Sequence, residues 1–355
     1  MAPRNVQTSH SSDPKSRPVI QVALVGYGYW GPNLARCLAA DGLARLAAIC
    51  ERSPERAREA RAAHQAVPIL DDIEMVLRNP AIDAVVLATP IASHGHLARR
   101  ALEHGKHVLV EKPLAGCYAE AIAMVEASQR RDLVLMVDHT YLFSPALKTI
   151  RRLVIERDLG PLRYYHSTRS NCFAPGHETS VLWDLAVHDL SILDALMAMP
   201  PVSIRAVGLR SARGQPASHA YVTLIYPDHA FTSVLVSWIA PVKARTILFG
   251  FDRHTIAWDD LVAGSSVQLY DRGLVPVADP GNRRQPHAVA ENIPVPTAEP
   301  LANAVRHFLD CIAHGKAPWS NAASGVRIVR LLEAAERSLA LSGEPASVEV
   351  PVVAA

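Results

Sequence analysis

The sequence predicts an α/β chain in two parts: an N-terminal parallel sheet flanked by helices, and a C-terminal α+β part built on a large open sheet, mixed or antiparallel. Three observations predict it. Short apolar runs alternate with helical segments up to about residue 140, the pattern of parallel strands joined by right-handed crossovers. Longer strand-like segments joined by short polar turns follow, as antiparallel pairing requires. The chain has 355 residues, 49% hydrophobic and 20% charged, the size and composition of two cored domains.

The elements follow in order. Residues 19–25 (VIQVALV) are an apolar run ending at a glycine, which suits a strand buried on both faces. Residues 31–42 are helical, with Leu34, Cys37 and Leu38 on one face. Residues 44–50 are a second strand, 56–63 a short helix, and 69–77 a strand end leading into another element. Strands at 84–88, 107–110 and 133–137 are separated by helices at 96–103 and 119–130. A helix near 145–157 leads to a strand at 162–169, and 203–210, 220–225, 231–236, 245–251 and 266–270 extend the second sheet. Residues 277–299, rich in proline and polar groups, read as an exposed loop. Helices at 300–313 and 323–341 close the chain; Val326, Val329, Leu332 and Ala335 recur at a spacing that lays one face on the sheet. The expected division is a disordered tail over 1–18, a first domain over 19–139 and a second over 140–355.

Charge and cysteine usage exclude several classes. With 36 basic and 34 acidic side chains the net charge is +2, which offers no electrostatic footprint for nucleic acid or an anionic membrane. The five cysteines (Cys37, Cys50, Cys117, Cys172 and Cys311) are odd in number and lack CxxC spacing. That argues against a disulfide framework or a zinc site and fits a reducing cytoplasm. The N-terminus is polar, without the apolar run of a signal peptide, and no apolar stretch reaches the ~18 residues of a membrane span.

Residues 26–31 read Gly26-Tyr27-Gly28-Tyr29-Trp30-Gly31, directly after the first strand and opening a helix. In this GxGxxG, Gly26 makes the tight turn, Gly28 lets backbone approach a pyrophosphate, and Gly31 lets helix pack on strand; Tyr29 and Trp30 complete the loop. The helix N-terminus then offers N–H groups and a positive dipole end to the anion. By itself the motif is equally a glycine turn. Glu51, ending the second strand 20 residues beyond Gly31, stands where an acid accepts the ribose hydroxyls of a dinucleotide. The combination predicts a Rossmann domain binding NAD. Arg52 beside it leaves NADP open, since an arginine there can pair with a 2′-phosphate, or else is a solvated loop charge.

Two clusters carry candidate chemistry. Glu111-Lys112-Pro113 follows the HVLV strand, at the carboxyl end where open α/β sheets bind ligands; alone, a lysine such as Lys112 is more often an ordinary surface lysine. Asp184 and His188 are four apart in WDLAVHD and, if helical, share a face. A carboxylate beside an imidazole suits proton transfer, though a helix cap and a buried histidine have the same spacing. There is no HExxH and no third ligand in register, so no metal is expected.

Taken together, VGYGYWG at 25–31, ATPIASH at 88–94, GKHVLVEKP at 105–113, DLAVHD at 184–189 and SGVRIVRLLEAAERSL at 324–339 resemble the Gfo/Idh/MocA oxidoreductase family. The resemblance implies Lys112, Asp184 and His188 as the catalytic set, with Thr89, Pro90, His94 and Glu111 on the nicotinamide side. In the reaction so implied, His188 takes a hydroxyl proton, Asp184 orients it and Lys112 stabilises charge on oxygen, Lys112 and His188 being interchangeable. Arg169 and Asn171 precede the catalytic helix and either meet polar substrate groups or are a solvated strand end. Thr140, Tyr141 and Leu142 stand where many members carry an asparagine–arginine pair, and Asp138 where glycine is common, which points away from small polyols. Residues 170–189 and GYWGPN at 28–33 are similar to members acting on nucleotide-linked sugars of the UDP-N-acetylglucosamine type. The expectation is an NAD-dependent dehydrogenase of a sugar or nucleotide sugar, dimeric or tetrameric. An NADPH-dependent keto-sugar reductase and a regulator without turnover are the alternatives; a regulator needs the glycine loop but not the acid–base set.

Overall fold

The computed structural model describes residues 19–172, 179–210, 212, 214–262, 266–273 and 289–348. The expected tail over 1–18 lies outside the described residues. The first part runs β1 (Ile20–Val25), α1 (Gly31–Ala40), β2 (Ala44–Cys50), α2 (Pro54–Ala63), β3 (Ile69–Leu70), α3 (Ile73–Leu77), β4 (Ala84–Leu87), α4 (His94–Glu103), β5 (His107–Glu111), α5 (Tyr118–Gln129) and β6 (Leu135–Asp138). Its strands pair in the order β3-β2-β1-β4-β5-β6, every pairing parallel. The central strands are apolar because both faces are covered: Val22, Leu24, Val85, Val86, Leu109 and Val110 are fully buried, each contributing ~1.5–3 kcal/mol of hydrophobic stabilisation. The order reverses between β1 and β4, so their carboxyl ends frame a crevice for ligand.

The second part runs α6 (Pro145–Glu156), β7 (Leu162–Cys172), α7 (Val187–Leu196), β8 (Ser203–Arg210), β9 (Ala217–Ile225), β10 (Phe231–Ser237), β11 (Ile239–Phe251), β12 (Thr255–Asp259), β13 (Ser266–Tyr270), β14 (Ala290–Ile293), α8 (Pro300–His314), α9 (Ala322–Ala340) and β15 (Ala346–Ser347). The sheet order is β14-β13-β12-β11-β7-β10-β9-β8-β15. Among the described residues only β7 and β10 pair in parallel, so the sheet is mixed. The strand β14 corrects the expected loop over 277–299: Ala290–Ile293 pairs with β13 through alternate backbone groups, while residues 274–288 lie outside the described residues.

Period-two alternation sets the faces of this sheet. Ile204, Val222, Leu224, Val234 and Phe249 are buried in one core with Leu190, Ile328 and Leu332 of the helices. Their strand neighbours Val207, Tyr221, Ile225, Phe231 and Leu248 point the other way and are exposed. The last helix serves both parts. Its Ala322, Val326 and Val329 join the core on one face of the first sheet, and Ser320 both donates to and accepts from Val137 at the edge strand β6.

Candidate active site

Gly26 leaves β1 at φ +94°, a conformation that favours glycine; a Cβ there would lie 2.4 Å from the Ala88 carbonyl oxygen. A Cβ on Gly31 would meet the Gly26 carbonyl oxygen at 2.7 Å. The loop thus packs against β4 and against the start of α1 only because both residues lack side chains. α1 begins without a side-chain cap and without an acid in its first turn, leaving its N–H groups to an anion.

Glu51 is buried, and its carboxylate accepts from Tyr27 N–H at 2.6 Å and Ser53 N–H at 2.8 Å. It therefore ties the glycine loop to the end of β2. A carboxylate accepts about four hydrogen bonds, so capacity remains for ribose hydroxyls. A cleft of about 760 Å³ runs past Gly26, Gly28, Glu51, Arg52, Thr89 and Pro90. Tyr29 (86% exposed) and Trp30 (42%) stand edge to face beside it, ring centres 5.6 Å apart. Arg56 is a site residue the sequence reading missed: its guanidinium lies 3.5 Å from where a Gly28 Cβ would be. Neither Arg52 nor Arg56 has an ion-pair partner among the described residues, whereas Arg100 in the same cleft is paired with Glu74.

His94 departs from its expected place facing the cofactor. It is 1% exposed, with Nδ1 2.9 Å from the Pro113 carbonyl oxygen and Nε2 2.8 Å from that of Thr89. The ring is a strut between the loop after β4 and the loop after β5. Burial lowers its pKa, and a neutral ring donates to only one of those carbonyls at a time.

At the carboxyl end of β5, Lys112 reaches across to the second domain. Its Nζ donates to Asp184 Oδ1 and to the Asp184 carbonyl oxygen, both at 2.8 Å. Trp238 Nε1 donates to Asp184 Oδ2 at 3.0 Å. This corrects the expected Asp184–His188 pair: the carboxylate meets Lys112 and Trp238, and His188 Nδ1 has no hydrogen-bond partner. The cause is local: Leu182–Ala186 is a π-turn, with the Val187 N–H bonded to the Leu182 carbonyl. Five-residue closure widens the turn, so residues four apart do not stack as on an α-helix.

His188 opens α7 and turns its ring towards Tyr141, centres 5.0 Å apart. Its Nδ1 is buried without a hydrogen-bond partner. Burial pushes its pKa well down, helped by Lys112, Arg169, His139 and Arg245, so the imidazole is neutral at neutral pH. Arg169 is also corrected: it is 2% exposed and donates to Asp189 at 3.0 Å. It lies 4.2 Å under the Tyr141 ring and so supports Tyr141 rather than facing substrate. Tyr141 is a second residue missed as a site group. Its hydroxyl donates to Asp260 at 3.0 Å and accepts from Arg245 at 2.8 Å. Asn171 is buried at the end of β7, just before residues 173–178, which lie outside the described residues. Among the described residues no cluster of three or more metal-ligating side chains occurs, and no helix is long and apolar enough to cross a membrane.

Residues 20–139 match the model of an oxidoreductase family with an NAD-binding Rossmann fold (GFO_IDH_MocA), and residues 147–255 match the GFO/IDH/MocA C-terminal domain. A UDP-N-acetylglucosamine 3-dehydrogenase of Acidithiobacillus ferrooxidans is 27% identical over 317 residues, 87% of this chain and 94% of that protein. A solved structure of that enzyme superposes with a TM-score of 0.80 at 25% identity, covering 91% of this chain and 98% of the other. An inositol 2-dehydrogenase of Streptomyces avermitilis is 25% identical over 326 residues, 90% of this chain and 92% of that protein. A levoglucosan dehydrogenase in complex with NADH shares the fold, with a TM-score of 0.82 at 19% identity over 94% of this chain and 100% of the other.

Proposed function

The chain belongs to the Gfo/Idh/MocA oxidoreductase family, and on that premise we propose that it oxidises a secondary hydroxyl of a sugar or nucleotide sugar to a ketone, with NAD as acceptor. The observation that carries the reading is the junction of Lys112 with Asp184, near a neutral His188, at the carboxyl end of β5 on the same sheet edge as the glycine loop. The nicotinamide, when bound, supplies the hydride acceptor. The glycine loop and the start of α1 suit its pyrophosphate, and Glu51 its ribose. His188 receives the hydroxyl proton on a ring nitrogen. Lys112, held by two oxygens of Asp184, directs its remaining N–H to the same substrate oxygen and stabilises its developing negative charge. Burial, and then Lys112 and the nearby arginines, disfavour the imidazolium, so the proton is passed on rather than retained.

The substrate class is supported by the UDP-N-acetylglucosamine 3-dehydrogenase relative, similar over most of both chains. One observation favours a second reading. Arg52 and Arg56 flank Glu51 without ion-pair partners, the equipment for a 2′-phosphate and hence for an NADPH-dependent keto-sugar reductase. We further propose a homodimer or homotetramer joined through the open sheet face, where Val207, Tyr221, Ile225, Phe231 and Leu248 are exposed together. The test is a screen of sugars and nucleotide sugars with NAD and NADP, followed by nicotinamide absorbance. Hydroxyl oxidation with NAD is expected; keto-sugar reduction with NADPH alone would transfer the proposal to the second reading.

A further inference from the structure

Two acids meet at the carboxyl ends of β5 and β6. Glu111 and Asp138 are direct neighbours in register on these parallel strands, so their side chains leave the sheet on the same side. Asp138 is 1% exposed and Glu111 8%. Lys112 N–H donates to Glu111 Oε2 at 3.2 Å, and the Thr140 hydroxyl donates to Asp138 Oδ1 at 2.9 Å. No other donor among the described residues serves either carboxyl. Asp138 Oδ2 is buried and without a donor, and Glu111 is the residue directly beside Asp138 on the paired strand. Two ionised carboxylates present only lone pairs to each other. Their contact is a hydrogen bond only when one of them carries a proton.

We propose that Glu111 and Asp138 share one proton at neutral pH and act as a single monoanion, a second counter-charge that positions Lys112 alongside Asp184. The groups facing the pair are Lys112 from the turn after β5, Thr140 from the segment after β6, and the buried thiol of Cys37 on α1. Only Lys112 is a cation, and its ammonium is already bonded to Asp184. A doubly ionised pair would therefore hold two buried charges with no cation bonded to either, which the interior strongly disfavours. Burial and then Asp138 hold the Glu111 carboxyl well above the usual range, and burial raises Asp138 to about 6. Below that pH the second proton binds, the pair is neutral, and Lys112 leans on Asp184 alone. Asp138 is thus a positioning residue, acting through Lys112. This consequence for catalysis rests on the proposed role of Lys112; the shared proton does not.

Infrared difference spectroscopy of wild type against Asp138→Asn at neutral pH reads the proton directly. A protonated-carboxyl band is expected in the wild type and not in the variant, where an amide donor lets Glu111 ionise. Absence of that band from the wild type overturns the proposal whatever the substrate. The second arm is the acid limb of kcat/KM. It should move in both Asp138→Asn and Asp138→Gly, because Glu111 then titrates without a partner carboxyl. A band with an unmoved limb in both variants would overturn the coupling to Lys112 while leaving the shared proton.

Discussion

Asp184 should serve the reaction through Lys112 and not through His188. The perturbation is a double-mutant cycle of Lys112→Met and Asp184→Asn. Lys112 makes two 2.8 Å charge-assisted contacts with Asp184, and the pair is largely screened from water, at 14% and 31% side-chain exposure. Hydrogen bonds to charged groups contribute ~1.5–3 kcal/mol. At ~1.4 kcal/mol per tenfold, Asp184→Asn should therefore lower kcat/KM roughly ten- to a hundredfold. Lys112→Met removes the charge at the substrate oxygen itself, and such groups contribute ~10²–10⁴-fold. Once Lys112 is gone the contact that Asp184→Asn weakens is already lost, so the double variant should fall within about threefold of Lys112→Met alone. The assay is initial-rate absorbance with saturating cofactor, with cofactor affinity titrated separately by fluorescence to show that binding survives. If the two losses multiply in the double variant, Asp184 acts independently of Lys112 and its assigned role is wrong.

Three further outcomes are expected. Glu51→Ser should weaken NAD roughly ten- to a hundredfold and improve NADP, whereas Arg56→Ala should weaken NADP; a wild type that already prefers NADP in the same titration would show that the arginines outweigh Glu51. Burial lowers the pKa of His139 to about 4, so the folded state resists a proton that the unfolded chain accepts from about pH 6.5 downward. That stability is fully present above pH 6.5 and is lost as the pH falls towards 4, about 3 kcal/mol in all at 1.36 kcal/mol per unit; urea unfolding should show a shallower acid loss in His139→Asn, and equal slopes would exclude this source. Gly26→Ala should abolish cofactor binding, because its Cβ would sit 2.4 Å from the Ala88 carbonyl oxygen at φ +94°; isothermal titration showing unchanged affinity would refute the packing argument.

What was legible in the sequence was local. The glycine loop and Glu51 are read from spacing because one strand–helix–strand unit contains both. Lys112 and Asp184 are 72 residues apart, and no periodicity says that they touch. The π-turn over Leu182–Ala186 has no compositional mark, so a helical period assigned Asp184 to the wrong partner. Arg56 carries no mark in the sequence because it is one of three arginines on a short polar helix, where such side chains are usually solvated; only the fold shows it over Gly28. Arg169 looked available for the opposite reason: a charge near a catalytic motif suggests substrate, and its burial against Asp189 is a tertiary fact. The short strands β14 and β15 carry few residues over which to alternate.

The return of α9 to the first sheet has a consequence for synthesis. Ala322, Val326 and Val329 supply part of the N-terminal core, and Ser320 completes the edge of β6. A ribosome delivers these residues almost 200 after β6 itself has emerged. Through that interval the cofactor-binding half carries an uncovered apolar face and an open strand edge, the features that recruit chaperones and invite misassembly. Folding of the first half therefore finishes last, and a chain truncated before residue 320 would lack the cover that its own N-terminal domain requires.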